Sequence, residues 1–95
     1  MARLDLDNEE VLVKLLADLY YAQKHILFQE MVIEKFMERV GLSEEETIAV
    51  LKKMVENKWL VTHGFKPKFF LRPGFVSSFP VVVSKTGLKL LKTED

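Results

Sequence analysis

Gly41-Leu42-Ser43-Glu44-Glu45-Glu46-Thr47-Ile48-Ala49-Val50-Leu51-Lys52-Lys53-Met54-Val55-Glu56-Asn57-Lys58-Trp59-Leu60-Val61 is the stretch on which the fold turns. Glycine enters left-handed backbone without a side-chain penalty, so Gly41 is suited to end one helix. Ser43 is placed to cap the next. Its hydroxyl can take the N–H of Glu46, whose carboxylate can reach back to Ser43, a capping box. Three glutamates in the first turn suit the positive end of the helix dipole. Ile48, Leu51, Met54 and Val55 recur at helical spacing, which predicts a helix over 44–57 with Ile48, Leu51 and Val55 facing the core. Glu45, Glu46, Ala49, Val50, Lys53 and Asn57 fall on the opposite side. The pattern breaks at Asn57-Lys58, and Trp59-Leu60-Val61 has the composition of a strand start.

Upstream, a helix is expected from about Phe28 to Val40. Phe28, Met31, Val32, Phe36 and Val40 lie on one side, and Ile33 and Met37 widen that face. Before it, Asp7 and Glu10 have capping-box spacing for a first helix over about 8–24, ending at His25. Ile26-Leu27-Phe28 reads as a short strand. Leu12, Leu15, Leu16 and Leu19 form the core stripe of the first helix. Val13, Ala17 and Tyr20 add an adjoining stripe, so the apolar arc is wider than one core requires. Either the helix is central and enclosed, or that second stripe is a subunit interface. A short chain gains from sharing a core, which favours a homodimer through Val13, Ala17 and Tyr20.

Downstream, Gly64 and Pro67 predict a bend, and Pro73-Gly74 fits the central positions of a type II turn. Phe69-Phe70-Leu71 and Pro80-Val81-Val82-Val83 read as strands, with 73–79 as the tip between them. Lys66, Lys68 and Arg72 are interleaved with aromatic residues. Cations in such a hairpin can contact phosphates, or they can protect a sheet edge, and both roles can hold together. Ser84 is a possible cap for a short last helix whose Lys85, Lys89 and Lys92 share a face.

Two helices joined at Gly41-Leu42-Ser43, apolar Leu51 and Met54, and the strand at Leu60-Val61 resemble the winged helix-turn-helix regulators of the MarR, ArsR and PadR type. Ser84-Lys85-Thr86-Gly87-Leu88-Lys89-Leu90-Leu91 is similar to the Thr-x-x-Gly-x-x-x-Leu segment that commonly follows the wing in those proteins. The resemblance covers roughly residues 26 to 91. It implies an α+β fold with a three-helix core, a β-hairpin wing and a short C-terminal helix. It also implies that 44–57 is a recognition helix reading double-stranded DNA, in a transcriptional regulator. The implied DNA-binding residues are Ser43, Glu46, Ala49, Val50 and Lys53 on that helix. Lys66, Lys68 and Arg72 on the wing, with Lys85, join them. Glu45 and Glu46 depart from the family pattern, because carboxylates near phosphates are repelled. That departure keeps a second function open, a protein-docking module using Ala49-Val50 or the aromatic wing.

Composition bounds the rest. Ninety-five residues predict one domain. A hydrophobic content of 48% excludes a disordered chain. The net charge is zero, yet it is polarised. Residues 1–57 carry 7 Lys and Arg against 12 Asp and Glu, a balance of −5. Residues 58–95 carry 7 against 2, a balance of +5, so a basic face is compatible with a neutral chain. There is no cysteine, hence no disulfide, thiol nucleophile or thiolate metal site. His25 and His63 lack a companion ligand at metal spacing. No phosphate-cradling glycine loop is present, and Ser77-Ser78 has no identifiable base. No enzyme, cofactor or metal is expected. No run is long enough to span a bilayer. Asp5, Asp7, Glu9 and Glu10 argue against a signal peptide, so a cytoplasmic protein without membrane partners is expected.

Overall fold

The computed structural model describes residues 8–62, 66–80 and 82–91. Its first helix, α1 (Glu9–His25), is capped by Asn8, whose side chain accepts the N–H of Glu10. The expected cap, Asp7, lies outside the described residues, as do His63, Gly64, Val81, Lys92 and the tail. Leu12, Leu15, Leu16, Leu19 and Ala22 form the buried stripe of α1. No strand follows at 26–28. Ile26 is extended, but a strand needs a neighbour to bond, and the sheet lies elsewhere. Instead a 3-10 turn over Gln29–Met31 leads into α2 (Val32–Val40). The second helix therefore begins four residues later than its apolar pattern suggests. Val32, Ile33 and Phe36 are buried, whereas Phe28 and Met31 face solvent.

Gly41 ends α2 with φ +72°, its N–H bonded to the carbonyl of Met37 at 2.8 Å. Ser43 then opens α3 (Glu44–Glu56) with both halves of the capping box formed. Ser43 Oγ accepts the Glu46 N–H at 3.2 Å, and Glu46 Oε1 accepts the Ser43 N–H at 2.9 Å. At the other end, Lys58 adopts φ +63°. Its N–H reaches the carbonyl of Val55, and the N–H of Trp59 reaches that of Met54. This is the Schellman arrangement with lysine where glycine is usual. It turns the chain sharply into β1 (Leu60–Val61).

β1 pairs antiparallel with β2 (Val82–Val83), Leu60 opposite Val83 and Val61 opposite Val82. The chain is thus α+β, helix-rich with one small two-stranded sheet. The connection between the strands is not an extended hairpin. Phe69 and Phe70 belong to a helical turn, α4 (Pro67–Phe70), with Pro67 in its first turn. Proline has no N–H to lose there, and its fixed φ suits the start of a helix. The helical path also turns Phe70 and Leu71 inward together while Phe69 stays exposed, which an alternating strand could not do. Pro73-Gly74 makes the expected turn. Gly74 has φ +88° and Phe75 N–H bonds the Arg72 carbonyl at 3.1 Å, the geometry of type II. The expected tip, 73–79, then folds back as a 3-10 turn over Val76–Ser78. Val76 and Phe79 are fully buried, and the Val76–Ser78 turn packs against α2 and α3.

Ser84 caps the last helix, α5 (Lys85–Leu91), by accepting the Gly87 N–H, while its own hydroxyl donates to the carbonyl of Lys58 at 2.7 Å. Gln23 of α1 accepts the N–H of Val83 at 2.7 Å and so ties the first helix to the sheet. α1, α2, α3, the sheet and the 71–79 segment enclose one core centred on Leu16, Leu19, Ile33, Phe36, Leu51, Met54 and Phe79. Among the described residues no helix is long and apolar enough to cross a membrane.

Candidate nucleic-acid interface

α3 is enclosed on more of its surface than its sequence suggests. The buried positions are Thr47, Val50, Leu51 and Met54. Val50 is inaccessible to solvent and cannot touch a base or a protein partner. Its expected place on the exposed face is therefore corrected: the Val76–Ser78 turn packs against both α2 and α3, and Val50 is enclosed. Ile48 and Val55, expected in the core, are instead only partly buried at the flank. The solvent face of α3 consists of Glu45, Lys52 and Glu56, with Ala49 and Lys53 half-buried beside them. Lys52 completes the face and was not singled out by the periodicity, because the apolar residues on both sides of α3 left the direction of burial ambiguous.

The start of α3 is engaged with its own backbone and with the chain beyond β1. Ser43 and Glu46 are occupied by the capping box. Thr47 donates its hydroxyl to the Ser43 carbonyl at 2.7 Å. The Glu44 carboxylate accepts the Gly74 N–H, at 3.3 and 3.2 Å to its two oxygens. Two of the three consecutive carboxylates are therefore held by backbone N–H groups, and Glu45 alone faces fully into solvent. The Glu44–Gly74 contact spans thirty residues of sequence and has no local signature.

That contact brings the basic segment to the amino end of α3. Arg72 is exposed, its guanidinium carbon 4.4 Å from the Phe75 ring centre and 5.1 Å from that of Phe69. Among the described residues it has no carboxylate partner. Lys66 is exposed immediately before α4. Lys68 lies within α4, and its side chain is outside the described part of the structure. Lys85 and Lys89 are exposed on α5, and nothing described joins them to the Arg72 region. Phe69, expected in a strand, and Phe75, expected in the tip, are half exposed beside Arg72.

The outer stripe of α1 is open. Ala17 is exposed, Val13 and Tyr20 are half-buried, and Lys24 sits over the Tyr20 ring at 5.4 Å. Two shallow depressions lie along it. One, about 400 Å³, is lined by Glu9, Glu10, Val13 and Lys14. The other, about 210 Å³, is lined by Ala17, Tyr20, Tyr21, Lys24 and Leu91. Among the described residues no group of three His, Cys, Asp or Glu side chains could hold a metal ion. Comparison of the chain with protein-family models, with curated proteins and with solved structures finds no match.

Proposed function

We propose that this chain is a winged helix-turn-helix protein that binds double-stranded DNA as a homodimer, a transcriptional regulator of the cytoplasm. On this reading α2, the Gly41-Leu42-Ser43 turn and α3 are the helix-turn-helix, and the folded connection between β1 and β2 is the wing. The observation that carries it is the hydrogen bond from Gly74 to Glu44, which ties the turn after Arg72, a cation with no carboxylate partner among the described residues, to the first turn of α3. A wing and a helix that share one surface can reach adjacent phosphates of one duplex. Affinity then comes chiefly from Lys66, Lys68 and Arg72, with Lys52 and Lys53 along α3 and Lys85 at the edge. Phosphate contacts of this kind position the protein without reading sequence. Titration of a labelled duplex across a salt series tests this, because binding built on phosphate contacts weakens steeply and linearly on logarithmic axes. Affinity that is absent at low salt, or unmoved by salt, rejects it.

The homodimer has a register. Glu10, Val13, Ala17, Tyr20 and Lys24 follow one another at spacings of three and four along α1, so they form a single stripe. The pairing that matches the charges of this stripe is antiparallel, with the two-fold axis at Ala17. It sets Glu10 of one copy against Lys24 of the other and buries Val13 and Tyr20 between them. Opposite charges at the two ends of an apolar stripe suit this arrangement.

A second function, docking of a protein, is favoured by one observation. Leu27 is 93% exposed, and Phe28 and Met31 are exposed with it. The adjoining 29–31 turn packs against the 76–78 turn near exposed Phe75. Size-exclusion and sedimentation of the Leu27→Ser/Phe28→Ser variant separate this patch from the α1 interface, since the variant keeps the α1 stripe intact.

A further inference from the structure

We propose that Phe69, Arg72 and Phe75 form a seat for an unpaired base of a nucleic-acid strand, the rings stacking on the base and the guanidinium taking the adjoining phosphate. The inference rests on the DNA-binding reading above and adds to its phosphate contacts a site for a base outside the stack.

The first support is the state of Arg72. Its guanidinium lies against two aromatic rings, at 4.4 and 5.1 Å from their centres. Among the described residues its side chain makes no hydrogen bond and meets no carboxylate. Its planar set of N–H donors is thus oriented but unfilled, and such a fork matches a phosphate. The nearby Glu44 carboxylate is turned to the Gly74 N–H instead.

The second support is the state of the rings. Phe69 is 53% and Phe75 42% exposed, on either side of the Arg72 guanidinium. They are not loose. Phe75 and Phe69 lie 6.0 Å apart, Phe69 meets Phe70 edge-on at 5.2 Å, and Phe70 stacks on Phe79 at 5.3 Å. Phe79 is fully buried, so the exposed pair stands at the end of a ring series anchored in the core. The type II turn between them is fixed at both ends, by Phe75 N–H to Arg72 and by Gly74 N–H to Glu44.

An apolar ring beside a cation without a counter-ion selects a ligand that is flat on one side and anionic on the other. Within an intact duplex the base faces are covered by their neighbours. Phenylalanine can reach a base face only where a base is splayed out, as in single strands, strand ends and kinked steps. Exposed Lys66 adds charge along the same segment and extends the track for the backbone.

The experiment is fluorescence anisotropy at low salt with three probes: a single-stranded oligonucleotide, its blunt duplex, and a strand of the same length whose central nucleotides are abasic. The abasic strand keeps the phosphates and lacks the rings. The intact strand is expected to bind about tenfold or more tighter than the abasic one. Phe69→Leu and Phe75→Leu keep apolar bulk without the aromatic face. They are expected to bring the intact strand down to the abasic level and to leave the abasic strand unchanged. Lys66→Ala is expected to weaken both strands alike. Equal affinity for intact and abasic strands overturns the stacking seat while leaving salt-dependent DNA binding in place. So does weakening of both strands by the leucine variants, since the rings then act through the fold. Absence of binding to all three probes overturns the DNA-binding reading with it and leaves the exposed rings to a protein partner.

Discussion

Replacing Gly87 by alanine inverts the ordinary effect of that substitution. Gly87 lies within α5, and in an exposed helix alanine is better than glycine by about 1 kcal/mol. Here the added Cβ would meet the carbonyl oxygen of Trp59 at 2.7 Å and Val83 Cγ1 at 2.8 Å, closer than side-chain carbons approach such atoms. Leu16 Cδ2 stands 3.4 Å away on a third side. The valine methyl could turn aside, but the carbonyl cannot. It accepts the Ser84 N–H at 2.7 Å, and Leu60, the next residue, is paired in β1. Relief therefore requires α5 to lift from the sheet, loosening the Ser84 cap and the contact with Leu16. Overpacking of this sort costs about 1–3 kcal/mol. Because the carbonyl cannot move, the cost falls at about 2–3 kcal/mol, and after the gain in helix propensity Gly87→Ala is expected to destabilise the fold by roughly 1–2 kcal/mol. For a domain of this size each kcal/mol moves the melting temperature by about 4–8 °C. Urea denaturation followed by circular dichroism measures the loss as a lower midpoint at unchanged slope. Thr86→Ala, on the exposed neighbour, is the control and is expected within about 0.5 kcal/mol of the parent. A Gly87→Ala protein as stable as the parent, or more so, refutes the close packing of α5 on the Trp59 carbonyl.

Lys58→Gly is expected to stabilise the protein by about 1 kcal/mol, because lysine at φ +63° bears a side-chain penalty that glycine escapes; an unchanged urea midpoint would contradict it. Val50→Ala is expected to cost roughly 2 kcal/mol through lost burial and a residual cavity, whereas Ala49→Ser is expected to be near neutral; equal effects at the two positions would place the buried face of α3 wrongly. Glu10→Lys is expected to weaken self-association in sedimentation equilibrium, and Glu10→Lys with Lys24→Glu to restore it. Failure of the double exchange to restore the dimer rejects antiparallel pairing about Ala17.

The elements most legible in the sequence were those fixed by neighbouring residues. Ser43 and Glu46 cap each other across three positions, Gly41 supplies the left-handed stop, and Pro73-Gly74 specifies its turn without help from the rest of the chain. The Leu12–Leu19 stripe was equally clear, since no apolar competitor of similar bulk lies opposite it. The buried face of α3 was not. Ile48, Val50, Leu51 and Val55 are all apolar, and which of them goes inside depends on how distant segments such as the 76–78 turn pack on α3. The aromatic run at 69–71 has strand composition, but Pro67 and the inward pull on Leu71 favour a helical turn. Proline there was read as a bend when it marks a helix start. Of the candidate interface, the cations were legible as a cluster. The tie between their segment and α3 was not, because it is one hydrogen bond from Gly74 to Glu44 across thirty residues.

That the Lys66–Arg72 segment holds DNA is tested most directly by the salt dependence of duplex binding in the parent and the Lys66→Ala/Arg72→Ala variant. Each phosphate contact contributes about 0.9 to the slope of log affinity against log salt. The double variant is expected to bind more weakly at every salt concentration and to lose about two units of slope per subunit, with its urea midpoint unchanged. A parallel line of the same slope and affinity, from a variant folded as well as the parent, contradicts the claim that this segment grips the phosphate backbone.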